Sequence, residues 1–408
     1  MQKRYGLVGE KLPHSFSKQI HESLWVEKYD LIELKRDEVE AFFRKKDFGG
    51  VNVTIPYKKI AMDCCDVVDE NAKKIGCVNT VVNKNGVLYG YNTDYDGFIC
   101  CVGREGIGFF EQNVLILGTG ATSKTVCAAV KACGAKSVKF VSRKGEINYE
   151  NIYEYTDTQV IINTTPVGMF PDIDGQSVDL SRFENLVSYV DVVYNPLRTR
   201  MYQQAKSLKK QCCCGLAMLV GQAVYAARHF SEKPIDNLAI ERTLAKLLPS
   251  RTNIVLTGMP GCGKSTIGKL LAEKLGRKVY DSDELVVKNA GMPIPEIFEK
   301  YGEAYFRDLE AQTVLELSKL NGVIISTGGG AVLREENRLR LSQNGRVYFI
   351  KRDIERLARG GRPLSTGIDA LKEMYSKREP VYTAFADVIV ENNGQLEDAA
   401  QRIWSEFI

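Results

Sequence analysis

Histidine is scarce in this chain. It occurs three times in 408 residues, as His14, His21 and His229, too few and too scattered for a histidine-based metal centre. No apolar run approaches the length of a membrane span, and the opening MQKRYGLVGEKLPHS has neither the apolar stretch nor the small-residue cleavage site of a signal peptide. Charge of one sign is missing as well: 55 Lys and Arg stand interspersed with 51 Asp and Glu, for a net charge of +4. Nothing in that balance would draw in nucleic acid or a membrane surface. The 11 cysteines are odd in number and lack paired C-x-x-C spacing. Cys64/Cys65, Cys100/Cys101 and Cys212 to Cys214 therefore read as reduced, largely buried thiols. A soluble cytoplasmic protein is expected, with neither nucleic acid nor membrane as partner; its oligomeric state stays open.

What the chain does have is the segment GMPGCGKST, Gly258 to Thr266, between the apolar run Ile254, Val255, Leu256 and the helical pattern IGKLLAEKL. Strand, glycine loop and helix in that order are the context of a P-loop. Gly258, Gly261 and Gly263 let the backbone bend so that successive N–H groups, through Cys262 to Thr266, face phosphate oxygens at the positive end of a helix. Lys264 then reaches the β- and γ-phosphates and the Ser265 hydroxyl ligates Mg²⁺, which makes ATP the expected nucleotide. This loop starts beyond residue 250, so a separate body must precede it, and the length suggests two or three domains.

The first hundred residues read as βαβ units: strands YGLVGE, DLIEL and GGVNVTIP, with helices near Ser17–Tyr29 and Glu38–Lys46. A largely parallel sheet is expected. Ser15, Ser17, Asn52, Thr54, Lys58, Asn79, Asn92, Thr93 and Asp94 fall where the strands end, the usual place for ligands in open α/β sheets. Hydroxyls, amides and a Lys/Asp couple suit a small polyhydroxylated carboxylate whose proton the couple can pass. Next, NVLILGTGATSKTVCAAVKACGAKSVKFVSRK reads as the opening of a dinucleotide-binding fold. Gly118 and Gly120 occupy the first two glycine positions and Ser123 stands at the third. After the second strand come Ser142, Arg143 and Lys144 with no acidic residue, which favours NADP(H) over NAD.

The motifs HSFS, NVTIPYK, CVNT and GYNTD, followed by NTTPVGM, DVVYNPLRT and GLAMLVGQA, resemble the shikimate dehydrogenase family. The resemblance implies substrate contacts at Ser15, Ser17, Thr54, Asn79, Tyr194 and Gln222, and a catalytic pair of Lys58 and Asp94. It implies cofactor contacts at Thr164, Met169 and Gly215. Lys18, Ala121 and Ala217 depart from residues usual in the family, Ala121 lying in the phosphate loop itself, where slightly shifted cofactor binding is expected.

In the last part, KVYDSDEL sets Asp281 and Asp283 two apart at a strand end, one to hold hydrated magnesium and one to bind an acceptor hydroxyl and take its proton. Arg307 in YFRDLE and Arg378 in KREPVY can clamp a carboxylate. Gly328, Gly329 and Gly330 permit close backbone approach, and ARGGRPLS supplies Arg359 and Arg362. GMPGCGKST, DSDEL, FRDLE, STGGG, GRPLS and REPVY together resemble shikimate kinase. That implies a shikimate site of Asp283, Arg307, Gly329, Gly330 and Arg378, and a lid carrying Arg362 over ATP.

The expected architecture is α/β throughout: a substrate-binding domain at 1–100 completed by 216–248, an NADP-binding Rossmann-like domain at 101–215, a joint at 249–252 after the leucine spacing stops at Pro249, and a P-loop domain at 253–408 resembling nucleoside monophosphate kinases. The expected activity is NADPH-dependent reduction of 3-dehydroshikimate, then ATP-dependent phosphorylation of shikimate. Quinate as an additional substrate of the first half, or one half acting as a silent shikimate-binding regulator, are the alternatives.

Overall fold

The computed structural model describes residues 3–12, 15–24, 28–231, 234–236, 238–357 and 368–407. It divides into two compact units, Met1–Met169 with Gly175–Lys246, and Phe170–Asp174 with Leu247–Ile408.

The first unit holds two sheets. One contains β1 (Tyr5–Gly9), β2 (Asp30–Glu33), β3 (Gly50–Val53), β4 (Val67–Val68), β5 (Thr80–Lys84) and β6 (Val87–Tyr91), in the order β2-β1-β3-β5-β6-β4. The three strands expected from the βαβ pattern, β1, β2 and β3, pair in parallel, as do β4 and β6, but the sheet is mixed because β5 runs antiparallel to both β3 and β6. The β5–β6 pair follows from the two-residue turn Asn85-Gly86, whose φ values of 53° and 88° match the twist of a tight hairpin. The second sheet comprises β7 (Asn113–Leu117), β8 (Ser137–Val141), β9 (Val160–Asn163), β10 (Ser188–Asp191) and β11 (Gln211–Cys213). All its strands are parallel, in the order β11-β10-β9-β7-β8. Its strand order reverses beside β7, so a crevice opens where β7 and β9 end.

Helices Thr93–Arg104 and Leu216–Phe230 pack against each other within this unit. Glycines allow the close crossing: a Cβ on Gly97 would lie 2.6 Å from the Met218 carbonyl oxygen. Around the second sheet, the side chains of Leu115, Ile116, Leu117, Val160, Ile161 and Ile162 are buried on both faces, as a parallel sheet covered by helices requires.

In the second unit, β12 (Asn253–Thr257), β13 (Val279–Asp281), β14 (Ile324–Ser326), β15 (Gly345–Lys351) and β16 (Val388–Glu391) form a parallel sheet in the order β13-β14-β12-β15-β16. The strand order reverses at β12, whose end leads into Gly258. The break expected at Pro249 is absent, because helix Ala239–Arg251 continues through it. Proline in a last turn forfeits only one backbone bond, and the carbonyls of Pro249 and Thr252 accept from the Arg277 guanidinium. Among the described residues no helix is long and apolar enough to cross a membrane. Six cysteines are buried and five half-buried, all of them free.

Candidate active sites

In the first unit the sheet ends converge on one ion pair. Lys58 opens helix Lys58–Asp63 and Asp94 lies in the first turn of helix Thr93–Arg104; the Lys58 ammonium donates to Asp94 Oδ2, with both side chains nearly buried. Asn79 fixes the start of the second helix: its Oδ1 accepts the Thr93 N–H at 2.7 Å and the Thr93 hydroxyl at 3.2 Å. Asn92 caps the same helix through the Tyr95 N–H and donates to the Cys77 carbonyl at 3.0 Å. Asn52 accepts the Tyr29 hydroxyl at 2.6 Å and donates to Thr80 Oγ1 at 3.0 Å. Asn79 Oδ1 and the Asn92 amide thus hold the helix that carries Asp94.

Ser15 accepts the Ser17 N–H at 3.2 Å. The intervening Phe16 ring meets the Tyr194 ring at 5.3 Å, so Tyr194 is brought to the serine segment. Gln222 sits where the two glycine-crossed helices touch, its Cβ 3.0 Å from the position a Gly97 side chain would take. Thr54 follows β3, its N–H bonded to the Val8 carbonyl.

The second sheet makes the phosphate loop. Gly118 has φ of 105°, a backbone that disfavours a side chain, and a Cβ there would also lie 2.9 Å from Thr164 Oγ1. Gly120 caps helix Ala121–Ala132, and Ser123 is turned inward, its hydroxyl donating to the Gly120 carbonyl at 2.6 Å. Thr164 donates to the Leu117 carbonyl at 2.6 Å, which binds the loop after β9 to the end of β7. Gly215 is forced by space: a Cβ would lie 2.0 Å from the Val192 carbonyl oxygen. Ser142 is half-buried after β8, whereas Arg143, Lys144 and Met169 are exposed, free of the packing that holds the glycine turn. A helix N-terminus, glycines and exposed basic residues fit a phosphorylated dinucleotide.

One buried carboxylate fastens these loops. Asp191 accepts from the Thr199 hydroxyl (2.7 Å), the Tyr189 hydroxyl (2.6 Å), the Val193 N–H (3.0 Å) and Asn163 Nδ2 (3.1 Å). Asn163 Oδ1 in turn accepts the Thr165 N–H and hydroxyl. Burial outweighs those four bonds and pushes the Asp191 carboxyl up to about 6. In the sequence Asp191 is only the first residue of the motif DVVYNPLRT, with no role assigned, because its partners come from residues as distant as Asn163.

The second unit carries the other constellation. Gly258, Gly261 and Gly263 have φ of 143°, 83° and 102°, the wrapped loop the motif requires. Lys264 opens helix Lys264–Leu275 and donates to the Gly258 and Met259 carbonyls at 2.9 Å each. Cys262 is fully buried beneath the loop, consistent with a small filler, and Thr266 is exposed. Ser265 donates to Asp281 Oδ2 at 2.6 Å, and Ser326, unforeseen from the sequence, donates to the same oxygen at 3.0 Å. This oxygen-only set suits Mg²⁺.

Asp281 also caps the helix bearing Asp283, accepting its N–H at 3.0 Å. The three glycines then close in, each for a different neighbour. A Cβ on Gly328 would lie 2.3 Å from Asp283 Oδ1, one on Gly329 2.7 Å from the Pro260 ring, and one on Gly330 2.2 Å from Arg307 Nη1. Arg307 is held by Glu310 at 2.9 Å and Glu303 at 3.1 Å. Burial raises the Glu310 carboxyl despite that partner. Arg378 is buried on helix Ile368–Phe385. Arg359 and Arg362 lie outside the described residues.

Over 253 residues the chain is 37% identical to the shikimate dehydrogenase (NADP(+)) of Clostridium beijerinckii, covering 57% of this chain and 93% of the relative. It belongs to the shikimate dehydrogenase family. Residues 7–81 match the model of the shikimate dehydrogenase substrate binding domain. The structure of shikimate dehydrogenase 1 from Peptoclostridium difficile is similar, with 33% identity and a TM-score of 0.56, over 60% of this chain and 98% of that one. The shikimate 5-dehydrogenase of Thermus thermophilus, solved with NADP(H) and shikimate, follows at 27% identity and a TM-score of 0.54, over 60% and 99%. Beyond the dehydrogenase, residues 260–407 match the shikimate kinase family. This dehydrogenase thus carries a kinase domain in the same chain and is a bifunctional enzyme of the shikimate pathway.

Proposed function

We propose that the chain performs two successive steps, reducing 3-dehydroshikimate to shikimate with NADPH and then phosphorylating the shikimate 3-hydroxyl with ATP and Mg²⁺. The observation that carries the first step is the nearly buried Lys58–Asp94 pair. NADPH supplies the hydride. Lys58 stabilises and protonates the oxygen that develops negative charge at the reduced carbonyl, and Asp94 holds the ammonium in line. Ser15, Ser17, Thr54, Asn79, Tyr194 and Gln222 orient the substrate, while Gly118, Gly120, Ala121, Ser123, Ser142, Arg143, Lys144, Thr164, Met169 and Gly215 hold the dinucleotide. The substrate-binding part spans 1–100 and 216–248, the dinucleotide-binding part 101–215, and the kinase 253–408.

In the kinase domain, ATP supplies the phosphoryl group and Mg²⁺ neutralises charge on it. Lys264 and the N–H groups from Gly261 to Thr266 bind phosphate oxygens, and Ser265 with Asp281 holds the hydrated metal. Asp283 accepts the proton of the attacking hydroxyl. Arg307 and Arg378 clamp the substrate carboxylate beside Gly329 and Gly330. The continuous link from Ser265 through Asp281 to Asp283 supports metal and acceptor sites side by side. The first product is the second substrate.

The test is mass analysis of products from the purified chain given 3-dehydroshikimate, NADPH and Mg·ATP together. Shikimate 3-phosphate is expected, and Lys264→Ala should stop the sequence at shikimate. Shikimate alone from the unmodified protein would defeat the kinase assignment.

A further inference from the structure

Three consecutive glycines leave the backbone at 328–330 without side chains to hold it, so a loop that must present fixed groups to a ligand needs an anchor from elsewhere. Tyr382, in the motif REPVY, meets the requirements. It is fully buried on helix Ile368–Phe385, four residues and one turn beyond Arg378, so both face the same way. Its ring packs on Phe349 of β15 at 5.0 Å between centroids, and its hydroxyl donates to the Gly329 carbonyl. Against the larger upward push of burial, the Arg378 guanidinium lies near the same hydroxyl and favours its charged form.

The Gly329–Gly330 peptide is trans. In a planar trans unit the carbonyl and the following N–H point in opposite directions. Holding the Gly329 carbonyl on Tyr382 therefore turns the Gly330 N–H away from the phenol. The same residue sits against Arg307, since a Cβ on Gly330 would fall 2.2 Å from Nη1. One buried phenol thus holds the peptide that abuts Arg307, and it stands one helical turn from Arg378.

We propose that Tyr382 is a positioning residue for the acceptor carboxylate of the kinase: it orients Arg378 and the Gly329–Gly330 peptide without touching substrate. The inference rests on the shikimate kinase reading of this site.

The test is Tyr382→Phe in the full chain, which keeps the ring and its packing and removes only the hydroxyl. Losing one buried hydrogen-bonding group should raise the KM for shikimate about tenfold, with kcat and the KM for ATP within about twofold and reduction of 3-dehydroshikimate unchanged. Calorimetric titration with shikimate should show a matching rise in the Kd of the kinase site, with the Kd of the dehydrogenase site unchanged. An unchanged KM and Kd for shikimate, or an equal rise in the KM for ATP, would overturn the proposal. Failure of the unmodified protein to phosphorylate shikimate would overturn the kinase reading instead.

Discussion

Replacing Lys58 by methionine removes one partner of an ion pair whose side chains are only 11% and 13% exposed. The chemical and structural consequences then separate. Loss of a positioned proton donor should lower the rate of 3-dehydroshikimate reduction by roughly 10²- to 10⁴-fold. The Asp94 carboxylate also loses its counter-charge, and leaving a nearly buried charge unpaired costs about 3 kcal/mol. For a unit of this size that lowers the melting temperature by roughly 6–12 °C. Adding Asp94→Asn removes the orphaned charge, so the double variant should regain most of the stability while remaining as inactive as the single one. Calorimetric melting read beside the NADPH-oxidation rate measures both, and phosphorylation of shikimate serves as the control. Reduction within tenfold of the unmodified protein would refute the catalytic role. A double variant no more stable than Lys58→Met would refute the buried-pair reasoning.

Two further outcomes follow from single contacts. The Asp191 carboxyl titrates near 6 in the folded chain against 3.8 when free, so its contribution favours the fold below about pH 4 and is lost as pH rises through about 6. Relative to Asp191→Asn, the unmodified protein should lose on the order of 3 kcal/mol across that window; urea unfolding curves that stay parallel from pH 4 to 7.5 would contradict this. Gly330→Ala would place a methyl 2.2 Å from Arg307 Nη1, an arginine already fixed by Glu303 and Glu310. Its KM for shikimate should rise more than about tenfold, and a KM within twofold of the original would show that Arg307 can move aside freely.

The sequence by itself determined the parts whose physics is local. Gly258, Gly261 and Gly263 announce a wrapped loop because few other residues tolerate those backbone angles. Apolar runs bounded by turn residues announce parallel strands, and Lys264, Ser265, Asp281 and Asp283 keep their spacing wherever the strands go. The hairpin at Asn85-Gly86 was legible by the same local rule, yet the βαβ pattern around it pointed to a parallel sheet, which β5 breaks. Helix Ala239–Arg251 likewise overrides the local signal of Pro249, with the Arg277 guanidinium bonding carbonyls at its end.

Only the tertiary structure decided which distant residues share a proton or a carbonyl. Ser326 joins Asp281 across 45 positions of chain, and Tyr382 reaches Gly329 across 53. Asp191 gathers donors that no spacing rule relates. A hydrogen bond depends on ångström placement of two groups, and for groups far apart in sequence that placement is set by the packing of whole strands and helices.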